Sequence, residues 1–264
     1  MSAAQTTDRR VAIVTGATKG IGNSAARELA AAGVSVVVTS RREQDAQRAA
    51  EALQTEGAQA LGVAFDLERR DDLARLVDTA VGSFGRLDIL VNNALSTSCV
   101  TPVEALTDAV VEFAFTSNIT HTFLLSRLAH PHLRATGGQV INIGSAVANR
   151  HLLGLPLYGI VKGAVAQMTR VLAAEWAGDG VRVNAINPGF VRTSAFSDLG
   201  MPDALVESSY DYYRNYQPLG RIARPADIGR LVAYLGAAGG EMMTGAVIEV
   251  DGGYSIQGRP LYPG

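Results

Sequence analysis

Strand-like and helix-like segments alternate along the chain, and this pattern constrains its fold more than any other feature. Short runs rich in β-branched residues are separated by stretches with helical apolar spacing from residue 11 to residue 250. The predicted strands are 11–15, 34–39, 59–65, 87–91, 139–143, 181–186 and 246–250. Alternation of this kind predicts an α/β fold, with a doubly wound parallel sheet of about seven strands and helices on both faces.

Helical apolar spacing fills the intervals between the predicted strands. The predicted helices span about 22–33, 43–56, 73–85, 107–133 and 157–177, and another begins at Pro225. No linker, repeat or low-complexity tract interrupts the sequence pattern. We therefore predict a disordered tail at 1–9 followed by a single domain from 10 to 264.

Composition and charge exclude several classes of protein. The 264 residues are 47% hydrophobic and 18% charged, with a formal net charge of −2 and no basic tract that would favour nucleic acid. No apolar run approaches the ~18 residues that span a membrane, and the first nine residues lack the apolar core of a signal peptide. The single cysteine, Cys99, excludes an internal disulfide and favours a reducing compartment. We expect a cytoplasmic protein without a metal site or a nucleic-acid or membrane partner.

A glycine-rich turn follows the first predicted strand directly. Gly16, Gly20 and Gly22 lie between that strand and the first predicted helix. Glycine lets the backbone turn tightly and approach a ligand closely. The N-terminus of the helix offers free N–H groups and the positive end of a dipole to a phosphate. Because a strand precedes the turn and a helix follows it, we predict a phosphate-binding site here.

Ligand-binding residue types stand at the carboxyl ends of six predicted strands. These residues are Gly16, Arg41, Asp66, Asn92, Ser145 and Pro188. In open parallel sheets, ligands bind in the crevice outside the carboxyl ends of the strands. The placement of one such residue could be accidental, but the joint placement of six predicts a binding site at this edge of the sheet.

Ser145, Tyr158 and Lys162 form a candidate proton-transfer site. Ser145 follows a buried strand, and Tyr158 and Lys162 are four residues apart, so they share one face of the next helix. A tyrosine ordinarily titrates near pH ~10, and a fixed ammonium nearby lowers its pKa by favouring the phenolate. A serine hydroxyl opposite the phenol can hold a substrate oxygen. Tyr-x-x-x-Lys alone is common as a chance amphipathic pair, so the interpretation depends on the rest of the chain.

The combined motifs closely resemble those of the classical short-chain dehydrogenase/reductase family. The matching pieces are 15–22, Asp66, Asn92-Asn93-Ala94, Asn118, Ser145, Tyr158-Gly-Ile-Val-Lys162 and Asn187-Pro188-Gly189. The resemblance covers essentially the whole chain in order, and implies a Rossmann fold and hydride transfer between a nicotinamide cofactor and a carbonyl or hydroxyl carbon. It assigns Tyr158 as general acid/base, Lys162 as its partner and a ribose ligand, Ser145 to the substrate oxygen and Asn118 to a water in a proton relay.

The resemblance also implies a set of cofactor-binding residues. Besides Tyr158 and Lys162, they are Gly16, Thr18, Lys19, Gly20, Ile21, Gly22, Ser40, Arg41, Arg42, Asp66, Leu67, Asn93, Ala94, Pro188, Gly189, Val191 and Thr193. Asp66 and Leu67 would hold the adenine, although Asp66 could equally cap a helix over 68–84. Thr193 would contact the nicotinamide carboxamide.

The end of the second predicted strand favours NADP(H) over NAD(H). NAD-specific sites place a carboxylate there for the ribose 2′-hydroxyl, whereas this chain has Ser40-Arg41-Arg42. An arginine can bind a 2′-phosphate through paired hydrogen bonds, and Lys19 adds a second cation. The alternative is that the arginines are ordinary solvated charges, but positive charge is unfavourable at the start of a helix.

Residues 190–220 are predicted to form a lid over the substrate, because apolar and aromatic side chains are concentrated there. The predicted substrate-binding residues are Leu95, Ser96, Val147, His151, Leu152, Phe190, Phe196 and Tyr210. Leu95 stands where the family usually has glycine, so we expect a shifted loop beside the cofactor or the substrate mouth. An aromatic lining of this kind favours a sizeable, apolar substrate.

We predict an NADPH-dependent reductase of medium-to-large, largely apolar ketones, and a homotetramer, with a dimer second, through the helices at 107–133 and 157–177. One alternative is a 3-oxoacyl-(acyl carrier protein) reductase, whose carrier surface could use only the dispersed Arg127, Arg134 and Arg170. Another is an alcohol dehydrogenase that works in the oxidative direction. A non-catalytic NADP-binding regulator would usually lose the tyrosine or the lysine, and an epimerase or dehydratase would need acid/base groups beyond His151.

Overall fold

A seven-stranded parallel sheet organises the computed structural model, which describes residues 9–97, 101–198 and 200–257. The strands are β1 Val11–Val14, β2 Ser35–Ser40, β3 Ala60–Ala64, β4 Ile89–Asn92, β5 Gln139–Ile143, β6 Arg182–Pro188 and β7 Val247–Val250. Their order in the sheet is β3-β2-β1-β4-β5-β6-β7. This order is that of a doubly wound Rossmann-type sheet, so the predicted fold class is confirmed.

Nine α-helices accompany the sheet in the described ranges. They are α1 Gly20–Ala31, α2 Glu43–Thr55, α3 Arg70–Phe84, α4 Asp108–Phe115, α5 His121–Thr136, α6 Pro156–Trp176, α7 Ala195–Asp198, α8 Asp203–Arg214 and α9 Pro225–Gly236. Among the described residues, no helix has both the length and the apolar character needed to cross a membrane.

Two apolar cores cover opposite faces of the sheet, because successive strand residues point to opposite sides. Ile13 of β1 is in register with Val37 of β2 and Leu90 of β4, and all three pack into one core with α3, α5 and α6. The neighbouring Ala12 and Val14 face the other way, into a core shared with α1, α2 and α9. Burial on both faces explains why these strands are continuous apolar runs.

The predicted helix at 107–133 is interrupted. A π-helical turn at Thr116–Thr120 separates α4 from α5. In this turn the Asn118 amide donates to the Ala114 carbonyl oxygen at 3.1 Å. A side chain that bonds to the backbone in this way competes with the regular helical ladder, and such turns are frequent at functional sites.

Two other predicted boundaries differ from the structure. Helix α6 begins at Pro156, because proline suits the first helical turn. Helix α3 begins at Arg70, with Arg69 as its N-cap residue. The alternative that Asp66 caps this helix is therefore wrong, and Asp66 instead accepts a 3.0 Å hydrogen bond from the Glu68 backbone N–H in a local turn.

Four features named from the sequence lie wholly or partly outside the described residues. These are most of the predicted tail at 1–9, Cys99, Leu199 of the predicted lid and the end of the chain from residue 258.

Candidate active site

The glycine-rich turn has backbone geometry that larger residues could not adopt. Gly16 and Gly20 have φ values of +63° and +57°, in the left-handed region. A Cβ atom on Gly22 would lie 2.3 Å from the Gly16 carbonyl oxygen and 2.5 Å from the Asn93 amide nitrogen. The chain is therefore packed backbone against backbone at this point, as a phosphate-binding turn requires.

Hydrogen bonds fix the turn to the loop after β4. The Thr15 hydroxyl oxygen accepts from the backbone N–H groups of Asn93 and Ala94, each at 2.9 Å. The Asn93 side-chain amide donates to the carbonyl oxygens of Thr15 at 2.8 Å and Gly16 at 3.0 Å. These bonds join the loops after β1 and β4 at the point where the strand order reverses, which is where dinucleotides bind in this fold.

The N-terminus of α1 has no acidic side chain of its own to balance the positive end of the helix dipole. Its N-cap residue Lys19 provides no side-chain cap, and the first turn contains no acidic residue. The free N–H groups and the dipole of the helix can therefore act on a bound phosphate. Together with the close packing at Gly22, this donor set fits the diphosphate of a nicotinamide dinucleotide.

Tyr158 and Lys162 lie on the first two turns of α6, beside the end of β5. Tyr158 is half-buried and packs against Ala114, Leu157 and Val161. Lys162 is 6% exposed, and its Nζ donates to the Ile143 carbonyl oxygen at 2.8 Å. The same Nζ lies 5.8 Å from the centroid of the Tyr158 ring. A nearly buried ammonium is thus held close to the phenol, as the spacing of four residues predicts.

Ser145 follows β5 and is held by a residue at the end of β6. Its backbone N–H donates to Asn187 Oδ1 at 3.1 Å, and its Oγ accepts from the Val147 N–H at 3.3 Å. A Cβ on Gly144 would lie 2.0 Å from the same Asn187 oxygen. The asparagine carbonyl therefore sits directly over the Gly144–Ser145 peptide and fixes its orientation.

Glu249 of β7 extends this network, although the sequence motifs do not include it. Its Oε1 accepts from Asn187 Nδ2 at 2.9 Å and from Asn149 Nδ2 at 2.7 Å. Burial raises the pKa of the Glu249 carboxyl, with a further increase from the charge of Asp251, against the opposing effect of the Asn187 and Asn149 hydrogen bonds. The carboxyl fixes which side of the Asn187 amide faces Ser145.

Asn118 is held by the loop after β4. Its Oδ1 accepts from the Ser96 N–H at 2.8 Å, and its Nδ2 donates to the Ser96 carbonyl oxygen at 3.3 Å. Ser96 is 5% exposed, and its hydroxyl donates to Glu68 Oε1 at 2.8 Å. A polar chain thus runs from Glu68, next to the predicted adenine-binding residues, to the π-helical turn, and Ser96 serves as its central link.

The predicted phosphate-binding cations have different partners. Arg42 pairs with Asp45 at 2.5 Å within the start of α2. Lys19 pairs with Asp198 of α7 through Nζ–Oδ1 and Nζ–Oδ2 distances of 2.6 Å. Arg41 is exposed and has no ion-pair partner within the part of the chain that the structure describes. Of the three, Arg41 is the residue best able to receive a new anion.

Aromatic side chains connect α7 and α8 with the end of β6. The rings of Phe190 and Tyr213 stack with a centroid distance of 3.8 Å and an interplanar angle of 12°. Phe196 continues the stack, 6.3 Å from Tyr213. Tyr210 is 2% exposed, and its hydroxyl bonds the N–H and the carbonyl oxygen of Thr193. Tyr210 therefore supports Thr193, while the stacked rings form an apolar wall.

The remaining predicted residues lie around the same edge. His151 is exposed, Leu152 is half-buried and Val147 is 6% exposed. Leu95, where the resembling family has glycine, is 36% exposed and follows Ala94 directly. Thr18, Ile21 and Val191 are half-buried, and the Leu67 carbonyl oxygen lies 2.6 Å from His121 Nδ1. Gly189 closely approaches Asp251, since a Cβ there would lie 2.8 Å from the Asp251 Cα.

The fold and the site define a class of protein, a Rossmann-type α/β protein in which Ser145, Tyr158 and Lys162 lie near the carboxyl end of β5. Residues 16–255 match the family described as enoyl-(acyl carrier protein) reductase. A tropinone reductase homolog of Arabidopsis thaliana is 34% identical over 251 residues, which are 94% of this chain and 93% of that protein. The 4-formylbenzenesulfonate dehydrogenase of Comamonas testosteroni is 36% identical, covering 94% and 99% of the two chains.

A solved structure agrees with these relatives. A short-chain dehydrogenase/reductase of unknown function from Caenorhabditis elegans, crystallised with cofactor, superposes with a TM-score of 0.86 at 27% identity. The similarity covers 94% of this chain and 95% of the other. The chain belongs to the classical short-chain dehydrogenase/reductase family. It is therefore an oxidoreductase that acts on alcohol or carbonyl groups with a nicotinamide cofactor.

Proposed function

We propose that this protein reduces a medium-to-large, largely apolar ketone with NADPH, or oxidises the corresponding secondary alcohol. The observation that carries the proposal is the joint position of three groups at one edge of the sheet. These are the open N-terminus of α1, the cations at 19 and 41, and the Ser145–Tyr158–Lys162 cluster.

Each catalytic side chain has a separate role in the proposal. Tyr158 gives its phenolic proton to the substrate oxygen during reduction and takes it back during oxidation. The Lys162 ammonium stabilises the phenolate that forms, because opposite charges attract strongly in a partly buried site. Ser145 donates a hydrogen bond to the same substrate oxygen and orients it. The nicotinamide supplies the hydride when the cofactor is bound.

Asn118 and its π-helical turn complete the proton path. The Asn118 side chain is saturated by contacts with Ser96 and Ala114, so it acts by shaping the turn rather than by touching substrate. A turn of this kind departs from the regular helical hydrogen-bond ladder, so we assign a backbone carbonyl of the turn as the group that holds a water. We propose that such a water returns protons to Tyr158 through Lys162.

The preference for NADP(H) rests on the charge at the end of β2. No carboxylate stands at 40–42, and the first acidic residue, Glu43, already lies in α2 and accepts from Gln47. A 2′-phosphate would meet Arg41 and Lys19 there, whereas a 2′-hydroxyl would find no carboxylate acceptor at these positions.

Replacing Arg41 with Ala is expected to lower kcat/KM for NADPH by about 10-fold to 100-fold and to change the value for NADH by less than about twofold. The loss reflects one charge-assisted contact with the 2′-phosphate. Steady-state rates at fixed ionic strength measure it. Arg48→Ala, which removes an exposed charge of α2 about two turns beyond Arg41, is the matched control. A clear NADH preference of the unaltered protein would contradict the cofactor assignment.

The wall formed by Phe190, Phe196 and Tyr213 supports the proposed substrate class. Flat rings at this position favour an apolar or aromatic group beside the carbonyl, through area burial and ring stacking. One relative is named a tropinone reductase homolog, and another is named a 4-formylbenzenesulfonate dehydrogenase. We therefore propose ring-bearing ketones first, with aldehydes as a second group.

A carrier-bound 3-oxoacyl substrate is the alternative, and charge gives it little support. Arg134, one of three candidate carrier contacts, is already paired with Asp179 at 3.2 Å. A non-catalytic NADP-binding role is also less favoured, because the complete set of catalytic residues is present. An NADPH-consumption screen over cyclic, aromatic and 3-oxoacyl substrates distinguishes the ketone reductase, the 3-oxoacyl reductase and the non-catalytic regulator. Turnover of 3-oxoacyl thioesters alone would replace the ketone proposal, and binding of NADPH without any turnover would favour the regulator.

We further propose a cytoplasmic homotetramer, with a dimer second, formed by a single domain from 10 to 264 whose lid spans about 190–220. Apolar side chains on α4 and α6 support the assembly, since Phe113, Ile160 and Val171 are 43%, 55% and 46% exposed. Exposed apolar groups on neighbouring helices are typical of subunit contacts. Light scattering gives the subunit number directly.

A further inference from the structure

An ion pair connects the glycine-rich turn with the predicted lid. Lys19 is the N-cap residue of α1, and Asp198 is the last residue of α7. The Lys19 ammonium donates to both oxygens of the Asp198 carboxylate at 2.6 Å. The Ser194 hydroxyl donates to the same carboxylate at 3.0 Å. The sequence motifs include Lys19 but give no role to Asp198.

The carboxylate lies in the field of both cations assigned to the cofactor phosphate. Partial burial raises the pKa of Asp198, but hydrogen bonds from Lys19 and Ser194 and the charges of Lys19 and Arg41 outweigh this effect and lower its pKa overall. Asp198 is therefore ionised at neutral pH. Its single negative charge therefore lies where the positive charges of Lys19 and Arg41 act together.

We propose that Asp198 is an internal competitor of the cofactor 2′-phosphate, so that Lys19 exchanges the lid carboxylate for the phosphate when NADP(H) binds. This inference rests on the proposed NADP(H) preference and adds a residue that determines how strong this preference is. NAD(H) lacks the 2′-phosphate and leaves the ion pair intact. The two cofactors therefore leave the lid in different states.

The exchange is energetically accessible because both partners are exposed. The side chains of Lys19 and Asp198 are 60% and 41% exposed, and exposed ion pairs of this kind are weak. A phosphate carries more charge than a carboxylate and binds Arg41 as well as Lys19. The carboxylate thus reduces the affinity for NADPH without preventing its binding.

Other contacts carry the effect from Lys19 into the lid. A Cβ on Gly20 would lie 3.3 Å from Thr193 Cγ2, so the base of the lid packs directly on the turn. The Tyr210 hydroxyl holds both backbone groups of Thr193 and ties this base to α8. Release of Asp198 breaks the ion pair but leaves these contacts in place. We therefore expect α7 to be the segment whose mobility changes.

The first test is the affinity of the Asp198→Asn variant for each reduced cofactor, measured by nicotinamide fluorescence at fixed salt. NADPH should bind the Asp198→Asn variant about threefold to tenfold more tightly than it binds the unaltered protein, an effect typical of one nearby surface charge. NADH affinity should change by less than about twofold. Asp211→Asn, which removes the same charge from α8 without a contact to Lys19, should leave both affinities unchanged.

Two further measurements distinguish exchange from general charge repulsion. The gain from Asp198→Asn should fall by at least about half in a Lys19→Met background, because competition for Lys19 is then absent. Hydrogen exchange across 195–214 should differ between the NADP⁺ and NAD⁺ complexes of the unaltered protein, and this difference should disappear in Asp198→Asn. An equal gain for NADPH and NADH, or an undiminished gain in the Lys19→Met background, would overturn the inference.

The failure of this inference can be distinguished from the failure of the proposed function. If the unaltered protein prefers NADH in kcat/KM, the cofactor proposal fails, whatever Asp198→Asn does. If the protein prefers NADPH and Asp198→Asn leaves the NADPH-to-NADH affinity ratio unchanged, only the exchange is wrong.

Discussion

The Tyr158→Phe variant is expected to lose about 10²-fold to 10⁴-fold in kcat, while its affinity for NADPH stays within about twofold of that of the unaltered protein. Phenylalanine keeps the ring that packs against Leu157 and Val161 and removes only the hydroxyl. Loss of a positioned general acid costs about 10²-fold to 10⁴-fold. A fall in kcat at unchanged cofactor affinity is the signature of a group that acts in the transition state.

The matched control for this change is Tyr234→Phe on α9, since Tyr234 is 51% exposed and distant from the carboxyl edge of the sheet. Its kcat should stay within about twofold. Single-turnover reduction of the best ketone, with NADPH affinity from fluorescence, measures both quantities for each variant. If Tyr158→Phe retains more than about a tenth of the activity, Tyr158 is not the proton donor.

The second large effect is expected from Gly22→Ala, which should weaken NADPH and NADH binding alike by about 100-fold or more. The added Cβ would lie 2.3 Å from the Gly16 carbonyl oxygen and 2.5 Å from the Asn93 amide nitrogen. Neither group is the end of a flexible side chain, because Asn93 is held by Thr15 and Gly16. The turn must therefore open, and the backbone donors that face the phosphates move with it.

A matched substitution separates this local effect from a general response to Gly→Ala. Gly82 lies inside α3, and a Cβ there would meet no atom within 4 Å. Gly82→Ala should leave cofactor binding unchanged and raise the free energy of unfolding by roughly 0.5–1 kcal/mol, because alanine is the better helix former. Isothermal titration and urea unfolding measure the two effects. Normal cofactor affinity of Gly22→Ala would contradict the assigned phosphate site.

Much of the fold was predictable because its signals are local. The central strands β1, β4 and β5 are short apolar runs buried on both faces. The glycine turn lies between its strand and helix in sequence as in space. The Tyr158–Lys162 pair was equally accessible, since four residues along a helix bring side chains onto one face. The carboxyl ends of parallel strands meet at one edge, so the convergence of the site followed from the predicted topology.

The features that were not predicted depend on contacts between distant parts of the chain. The break between α4 and α5 arises where Asn118 is held by Ser96, 22 residues earlier. Glu249 acts on Ser145 through Asn187, over a separation of 62 residues from the asparagine. The Lys19–Asp198 pair joins residues 179 positions apart. Asn118 and Lys19 belong to the sequence motifs, but nothing local in the sequence indicates Ser96 and Asp198 as their partners.

Asp66 shows how a local rule can mislead when two signals overlap. An aspartate shortly before a helical run is a common N-cap. The Asp66 carboxylate is instead satisfied by the Glu68 N–H, while its own N–H donates to Asp72 Oδ2 at 2.9 Å. Asp72 lies in the first turn of α3 and is 8% exposed. The acid that holds the turn before α3 is therefore Asp72, inside the helix, and not a residue at its N-cap.

The most direct test of the central claim is the fate of the hydride. NADPH carrying deuterium at one face of nicotinamide C4 is incubated with the unaltered protein and the best ketone from the screen, and the alcohol is analysed by mass spectrometry. One of the two labelled faces should give a product with a single deuterium on the carbinol carbon, at every turnover. Alcohol without deuterium from either labelled form would contradict direct transfer to the carbonyl and with it the proposed function.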